Sequence, residues 1–384
     1  MIILCEPQCE GFEHVEFNSA LLEVVKKAFP SDTLLFLSEK KHLEFVQNKL
    51  KDLKDIEYQP ITIPVRNYSD IKRQFTEFRI CQKIFAIAEK NKVEKIIFCS
   101  VTSPGLFSIK VLSRKYKKIK ILVTPHAVLE QILQRPSFVS WKSIFWIKIP
   151  LLIGNNNSIQ YLLLGESIKN NLIQMLPNLK PYVSAIHHPY QFQDVSNSIS
   201  VECDKIIKFG AFGVGNRQKG TDMIFKMVEE LNTLNLERDF QFSLIGPILD
   251  KQLKGVHSER VFVPSPDKPI SREDFDIYAR GVDYAVFFYK PGTYRLTASG
   301  ALLDAFSYAK PIIAIRNPFF EYYFDLMGDI GYLCKDYAEM KSIFVDILNN
   351  KINKNNYRLQ QQNILKAREK FSTANIARTF QALL

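Results

Sequence analysis

Short apolar runs alternate with amphipathic helical stretches along the whole chain, and the alternation starts twice. In the first half the runs fall at 2–5, 33–38, 60–65, 95–100, 119–124 and 159–164, separated by helical patterns such as Asn18–Ala28 and Asp70–Lys90. After about residue 193 they recur near 205–210, 240–245, 261–264, 284–289, 311–315 and 331–334. Runs that are apolar at every position are strands covered on both faces, so each series predicts a parallel sheet between helices. Two series predict two Rossmann-like α/β domains facing across a cleft. The join falls near His187–Tyr190 and the polar stretch Gln191–Ser200. This gives domains over 1–190 and 191–365, with Asn356–Leu384 reading as one long helix whose 366–384 portion packs back on the first domain. A length of 384 residues suits two domains of this kind.

Charge separates the halves. Residues 1–192 carry 26 Lys/Arg and 17 Asp/Glu, whereas the remainder carries 25 and 23. The first half therefore favours an anionic partner. Arg114–Lys120 packs five cations into seven residues, and 138–149 interleaves Trp141 and Trp146 with lysines, a composition suited to an anionic membrane surface. No nucleic-acid-binding motif accompanies the charge.

The six cysteines form no CxxC pair, and the six histidines form neither HxxxH nor HxH. Buried reduced thiols and no metal site are the expectation. The longest apolar run, Tyr284–Tyr289, is far short of a membrane span, and the N-terminus lacks the features of a secretory signal. A cytoplasmic protein is expected, with peripheral association at the inner face of the membrane.

In open α/β sheets ligands bind at the carboxyl ends of the strands. The loop after the first strand of the second half contains Gly210, Gly213, Gly215, Arg217, Lys219 and Gly220 and opens a helix. Glycines admit close approach of backbone to ligand, and cations beside a helix N-terminus suit a diphosphate. The spacing is neither GxGxxG nor a Walker A loop. A second loop runs from Lys290 through Tyr294 and Leu296 to Ser299-Gly300, where another helix opens and can hold phosphate oxygens, with Asp304 one turn deeper. In the first half, His126 ends an apolar strand, and Gly11-Phe12-Glu13-His14 follows strand one. Glu166, after the sixth strand, is expected to cap the following helix.

The order strand–glycines–Lys219-Gly220-x-Asp222, followed some eighty residues later by Leu302-Leu303-Asp304-Ala305-Phe306 and Lys310-Pro311-Ile312-Ile313, resembles the donor half of retaining GT-B glycosyltransferases, particularly glycosyltransferase family 4. The resemblance implies transfer of a sugar from a nucleotide-diphosphate donor to a glycan or lipid-linked acceptor, with retention of configuration and no obligatory metal. Lys219 matches the family's diphosphate-binding Lys. The family Arg falls at Val214, so Arg217 is its substitute. Asp304 matches the ribose-binding acid, whereas the family's sugar-contacting Glu falls at Leu296. Gly213, Tyr294, Ser299 and Gly300 complete the donor set, His126 is the residue near the transferred sugar, and Gly11 with His14 faces the acceptor. A Lys-, Asn- and Ile-rich composition is associated with bacterial surface polysaccharide pathways. The alternatives left open are a sugar-nucleotide epimerase of the same fold and a non-catalytic binding protein.

Overall fold

The computed structural model describes residues 1–64, 70–126, 128–134, 146–195, 206–290 and 292–384. Its contacts divide into two compact units. Unit 1 comprises Met1–Gln191, Arg295–Ala298 and Lys370–Leu384, and unit 2 comprises Phe192–Tyr294 and Ser299–Glu369.

Unit 1 runs β1 (Ile2–Cys5), α1 (Val15–Ala28), β2 (Leu34–Ser38), α2 (Lys40–Lys49), β3 (Ile56–Pro60), α3 (Asp70–Lys90), β4 (Lys95–Phe98), α4 (Ser103–Ser113), β5 (Lys120–Val123), α5 (Lys148–Leu152), β6 (Ile159–Leu163), α6 (Glu166–Met175) and β7 (Val183–Ala185). Its strands pair in parallel in the order β3-β2-β1-β4-β5-β6-β7. Alternate residues of β1 enter different cores, because successive side chains leave a strand on opposite faces. Ile3 and Cys5 join one layer with Ile84, Phe85 and Leu106, while Ile2 and Leu4 join another with Phe17, Leu21 and Leu22.

Unit 2 runs β8 (Ile206–Phe212), α7 (Thr221–Asn232), β9 (Asp239–Ile245), β10 (Val261–Phe262), α8 (Arg272–Arg280), β11 (Tyr284–Phe287), α9 (Gly300–Ser307), β12 (Ile312–Ile315), α10 (Pro318–Met327), β13 (Gly331–Cys334), α11 (Tyr337–Leu348) and α12 (Lys354–Arg368). Its parallel order is β10-β9-β8-β11-β12-β13. In each sheet the order reverses beside the first strand, at β1/β4 and β8/β11, where such sheets hold ligands.

Three local expectations are corrected. The strand expected over 60–65 lies at Ile56–Pro60, a half-exposed edge strand. An edge tolerates polar residues, and Pro60 and Pro64 lack the donors a longer ladder would need. The three-residue β7 extends the sheet beyond the six strands expected. The terminal helix is broken: α12 ends at Arg368, a 3-10 turn covers Glu369–Phe371, and Ser372 caps α13 (Thr373–Phe380) through the Asn375 amide. Ile376, Ala377 and Phe380 are buried in the core layer that contains Phe17 and Leu21.

Candidate functional site

In unit 2 the loop after β8 folds tightly onto neighbouring strand ends. Gly213 turns with φ +78° and donates its amide to the Ile245 carbonyl at 2.9 Å. Asn216 caps the short turn Arg217–Lys219, its Oδ1 accepting the Lys219 amide at 2.9 Å. Gly220 has φ +70° and starts α7 against β11, so a Cβ there would fall 2.6 Å from Phe288 Cβ and nearer still to its carbonyl oxygen. Only glycine satisfies both the left-handed turn and that approach.

This fold forms a small open recess lined by Gly213, Gly215, Lys219, Thr221 and Tyr289. Burial depresses the Lys219 ammonium to about 8, against the opposing pull of Asp304. Asp304, half-buried on α9, pairs with Arg272 at 3.2 Å, and Arg272 also holds the Tyr308 hydroxyl at 2.9 Å and Asp276 at 2.8 Å. Ser299 immediately precedes α9 and is buried, with its Oγ 3.2 Å from the Tyr289 hydroxyl. Gly300 opens the helix into free space: a Cβ there would meet nothing within 4 Å. Tyr294, at φ +60°, stacks on Tyr289 with ring centroids 4.4 Å apart. Arg217 is exposed and engaged elsewhere, with Asp250 at 3.0 Å and Gln252 at 2.7 Å. Unit 2 thus brings Lys219, Gly213, Asp304, Tyr294 and the Ser299–Gly300 helix start to the carboxyl ends of β8 and β11. Pro291 lies outside the described residues.

In unit 1, His126 follows β5, and its ring centroid lies 4.4 Å from that of His14 and 5.7 Å from that of His188. Burial above all, then these two rings, holds its pKa well below the ordinary histidine value, so the imidazole is neutral at pH 7. Among the described residues its Nδ1 is buried without a partner, as is the Thr124 hydroxyl beside it. Both residues line a small recess with Leu296 and Thr297, whose Oγ1 likewise has no partner among the described residues. The 295–298 segment is fixed by two side chains: Glu130 accepts the Leu296 amide at 2.8 Å, and Asn171 donates to the Arg295 carbonyl at 2.9 Å. Leu296 is 1% exposed, inside the unit 1 core.

The loop after β1 is organised by buried Glu6. Its carboxylate accepts the Gln8 and Cys9 amides at 3.1 and 3.3 Å, Asn18 Nδ2 at 3.3 Å and the Ser100 hydroxyl. His42 lies 2.9 Å from both Asn18 Nδ2 and the Gly11 carbonyl. The carbonyl can only accept, so His42 Nδ1 carries the proton and Nε2 accepts from Asn18. Gly11 has φ +54° and His14 φ +55°.

Glu166 sits in the first turn of α6, paired with Lys169 at 3.2 Å. The basic residues of Arg114–Lys120 are exposed and lead into β5, whose first residue is Lys120, at the opposite end of the strand from His126. Of the Trp/Lys segment, 138–145 lies outside the described residues. Trp146 is half-buried and donates Nε1 to the Gln131 carbonyl at 2.8 Å. Among the described residues, no helix is long and apolar enough to cross a membrane.

Sequence reasoning missed Glu6, His42, His188, Glu130, Arg272 and Tyr289. His188 and Tyr289 stood at strand-end positions within the segments already singled out. Glu6 directly follows β1, and the others become neighbours of the site only through tertiary contacts.

No protein-family model and no curated protein matches the chain. Solved structures do. Sucrose-phosphate synthase from Thermosynechococcus elongatus superposes with a TM-score of 0.68 at 13% identity, over 100% of this chain and 97% of its own. Anabaena HepE, solved in complex with UDP, gives 0.64 at 12% identity, over 100% and 98%. A Listeria monocytogenes protein assigned as a UDP-N-acetylglucosamine 2-epimerase gives 0.56 at 12%, over 99% and 95%. These likenesses span essentially every element, and with the two reversing parallel sheets they establish that the chain has the GT-B fold.

Proposed function

We propose that the chain is a glycosyltransferase that moves a hexose-like unit from a nucleotide-diphosphate sugar to a glycan or lipid-linked acceptor, with retention, in a bacterial surface-glycan pathway at the inner face of the membrane. The observation that carries this reading is Lys219: an ammonium held in a recess at the carboxyl end of β8, desolvated and therefore destabilised until an anion arrives. As the bond between the anomeric carbon and the diphosphate oxygen breaks, the electron pair leaves with the diphosphate. A preorganised cation and the amides at the start of α9 stabilise the charge where it develops.

In this reading Gly213 lets the backbone approach the phosphates, Ser299 and Gly300 bind phosphate oxygens, Asp304 positions the ribose and Tyr294 flanks the nucleotide. Arg217 joins the diphosphate by exchanging Asp250 for it. His126 binds the transferred sugar, and Gly11 with His14 contacts the acceptor. The charge is met by side chains and helix amides, so the reading asks for no metal. HepE's complex with UDP supports a uridine nucleotide as the first donor to try.

The test is a thermal-shift panel of nucleotide diphosphates and nucleotide sugars on wild type and Lys219→Ala. A ligand that binds only the folded state raises the melting temperature by mass action. Stabilisation by one nucleotide family that disappears in the variant is expected. No stabilisation by any nucleotide overturns the proposal.

The Listeria neighbour favours a second reading, epimerisation of the donor sugar. Incubating the stabilising nucleotide sugar with no acceptor and following it by NMR separates the two: a transferase leaves the sugar configuration unchanged, whereas an epimerase converts it.

A further inference from the structure

Glu6, Cys9 and His14 converge in the loop between β1 and α1, beside the point where the unit 1 sheet reverses. One carboxylate oxygen, Cys9 Sγ and one His14 ring nitrogen all lie within 4.8 Å of one another. Cys9 Sγ and His14 Nδ1 are 3.3 Å apart. Glu6 is fully buried, Cys9 is buried and His14 half-buried. We infer that these three side chains form a site for a single divalent ion of the zinc type, a ligand beyond the nucleotide-sugar reading that shares with it only His14.

The donor chemistry selects the ion. One thiolate, one imidazole and one carboxylate match borderline cations such as Zn²⁺ and Co²⁺, whereas Ca²⁺ and Mg²⁺ want oxygen alone. A tetrahedral ion about 2.0–2.3 Å from each donor sets neighbouring donors roughly 3.3–3.6 Å apart. The sulfur–nitrogen separation already meets that, and the remaining donor separations lie within 4.8 Å.

The surroundings also suit a ligand set. The Glu6 carboxylate is oriented by Ser100, Asn18 and two backbone amides, the outer hydrogen bonds that fix a coordinating carboxylate. As the metal–sulfur bond forms, the Cys9 thiol proton passes to solvent. Three protein donors leave the fourth position of the ion to water or to an incoming oxygen ligand. The sequence hid the site because its spacing, Glu-x2-Cys-x4-His, matches no zinc pattern built from paired Cys or His.

The experiment titrates Co²⁺ into full-length protein stripped with chelator and records the absorption spectrum. Saturation at one equivalent is expected, with a near-ultraviolet thiolate-to-cobalt band and the intense visible bands of a tetrahedral ion, displaced by Zn²⁺. Cys9→Ser abolishes the ultraviolet band and His14→Ala weakens binding at least tenfold, while Cys334→Ser, a control on β13 of unit 2, retains the full spectrum. X-ray absorption on the zinc-loaded wild type needs no variant and should read one sulfur with nitrogen and oxygen neighbours. No saturable band in the wild type overturns the inference. So does a band that survives Cys9→Ser, or a zinc shell without sulfur.

Discussion

Lys219→Met separates binding from stability at a single position. Bringing a lysine from its ordinary 10.5 to about 8 in the folded protein corresponds to roughly 3 kcal/mol of disfavour for the buried ammonium at neutral pH. The folded state then binds fewer protons than the unfolded state between about pH 8 and 10.5, so wild-type stability rises with pH across that window. Methionine keeps the aliphatic stem and removes the charge. At pH 7 the variant should be more stable than wild type by roughly 1–3 kcal/mol, a net figure in which the attraction to Asp304 is already included. At pH values above 10.5 the difference should vanish. Urea denaturation at pH 7 and at high pH measures it. Trp146 lies in unit 1, so its fluorescence follows that unit, and a far-UV circular dichroism transition without a change in it belongs to unit 2. The same variant should lose the thermal stabilisation by nucleotide diphosphate. A less stable Lys219→Met at pH 7, or a difference independent of pH, would refute the claim that this ammonium is held at a desolvation penalty for an anion.

Gly220→Ala should destabilise unit 2 by roughly 2–4 kcal/mol, because the left-handed turn and the Phe288 backbone both oppose a Cβ; a melting temperature within a degree of wild type would contradict that packing. Leu296→Ala should empty part of the unit 1 core at about 2–4 kcal/mol, visible in the tryptophan-reported transition. Arg217→Ala breaks an exposed ion pair, so stability should change by less than about 1 kcal/mol while nucleotide affinity falls. Unchanged nucleotide affinity would confine Arg217 to its contact with Asp250.

What could be read from the sequence follows from the range of the interactions involved. The strands of both sheets announce themselves because a strand covered on both faces must be apolar at every position, as in Leu34–Leu37 and Ile312–Ile315. The β8 loop was legible for the same local reason: positive φ at Gly213 and Gly220 requires glycine wherever the turn occurs. Edge strand β3 was misplaced because an edge makes no such demand. The break at Ser372 carried a capping signal, hidden by continuous helical propensity on both sides. The rest depends on distant partners. Glu130 meets Leu296 across 166 positions, and Ser100 meets Glu6 across 94, so no local pattern connects them. The fate of Leu296 shows the limit best: the sequence marks it as an apolar residue in a polar loop, and only the fold places it inside the unit 1 core.

The assignment of Lys370–Leu384 to unit 1 bears on how the chain is made. Synthesis proceeds from the amino end, so all of unit 2 is translated before α13 can cover Phe17 and Leu21 on the first sheet's helices. At roughly 5–20 residues per second, the intervening stretch of about 180 residues leaves that apolar surface waiting for roughly 10–35 s on the ribosome. During that interval the nascent first unit presents a hydrophobic groove to chaperones and to neighbouring chains, whereas unit 2 can close before the last turn of the chain emerges. Yield at low temperature or with added holdase should therefore respond to substitutions on α1 and α13, and far less to those in the unit 2 core.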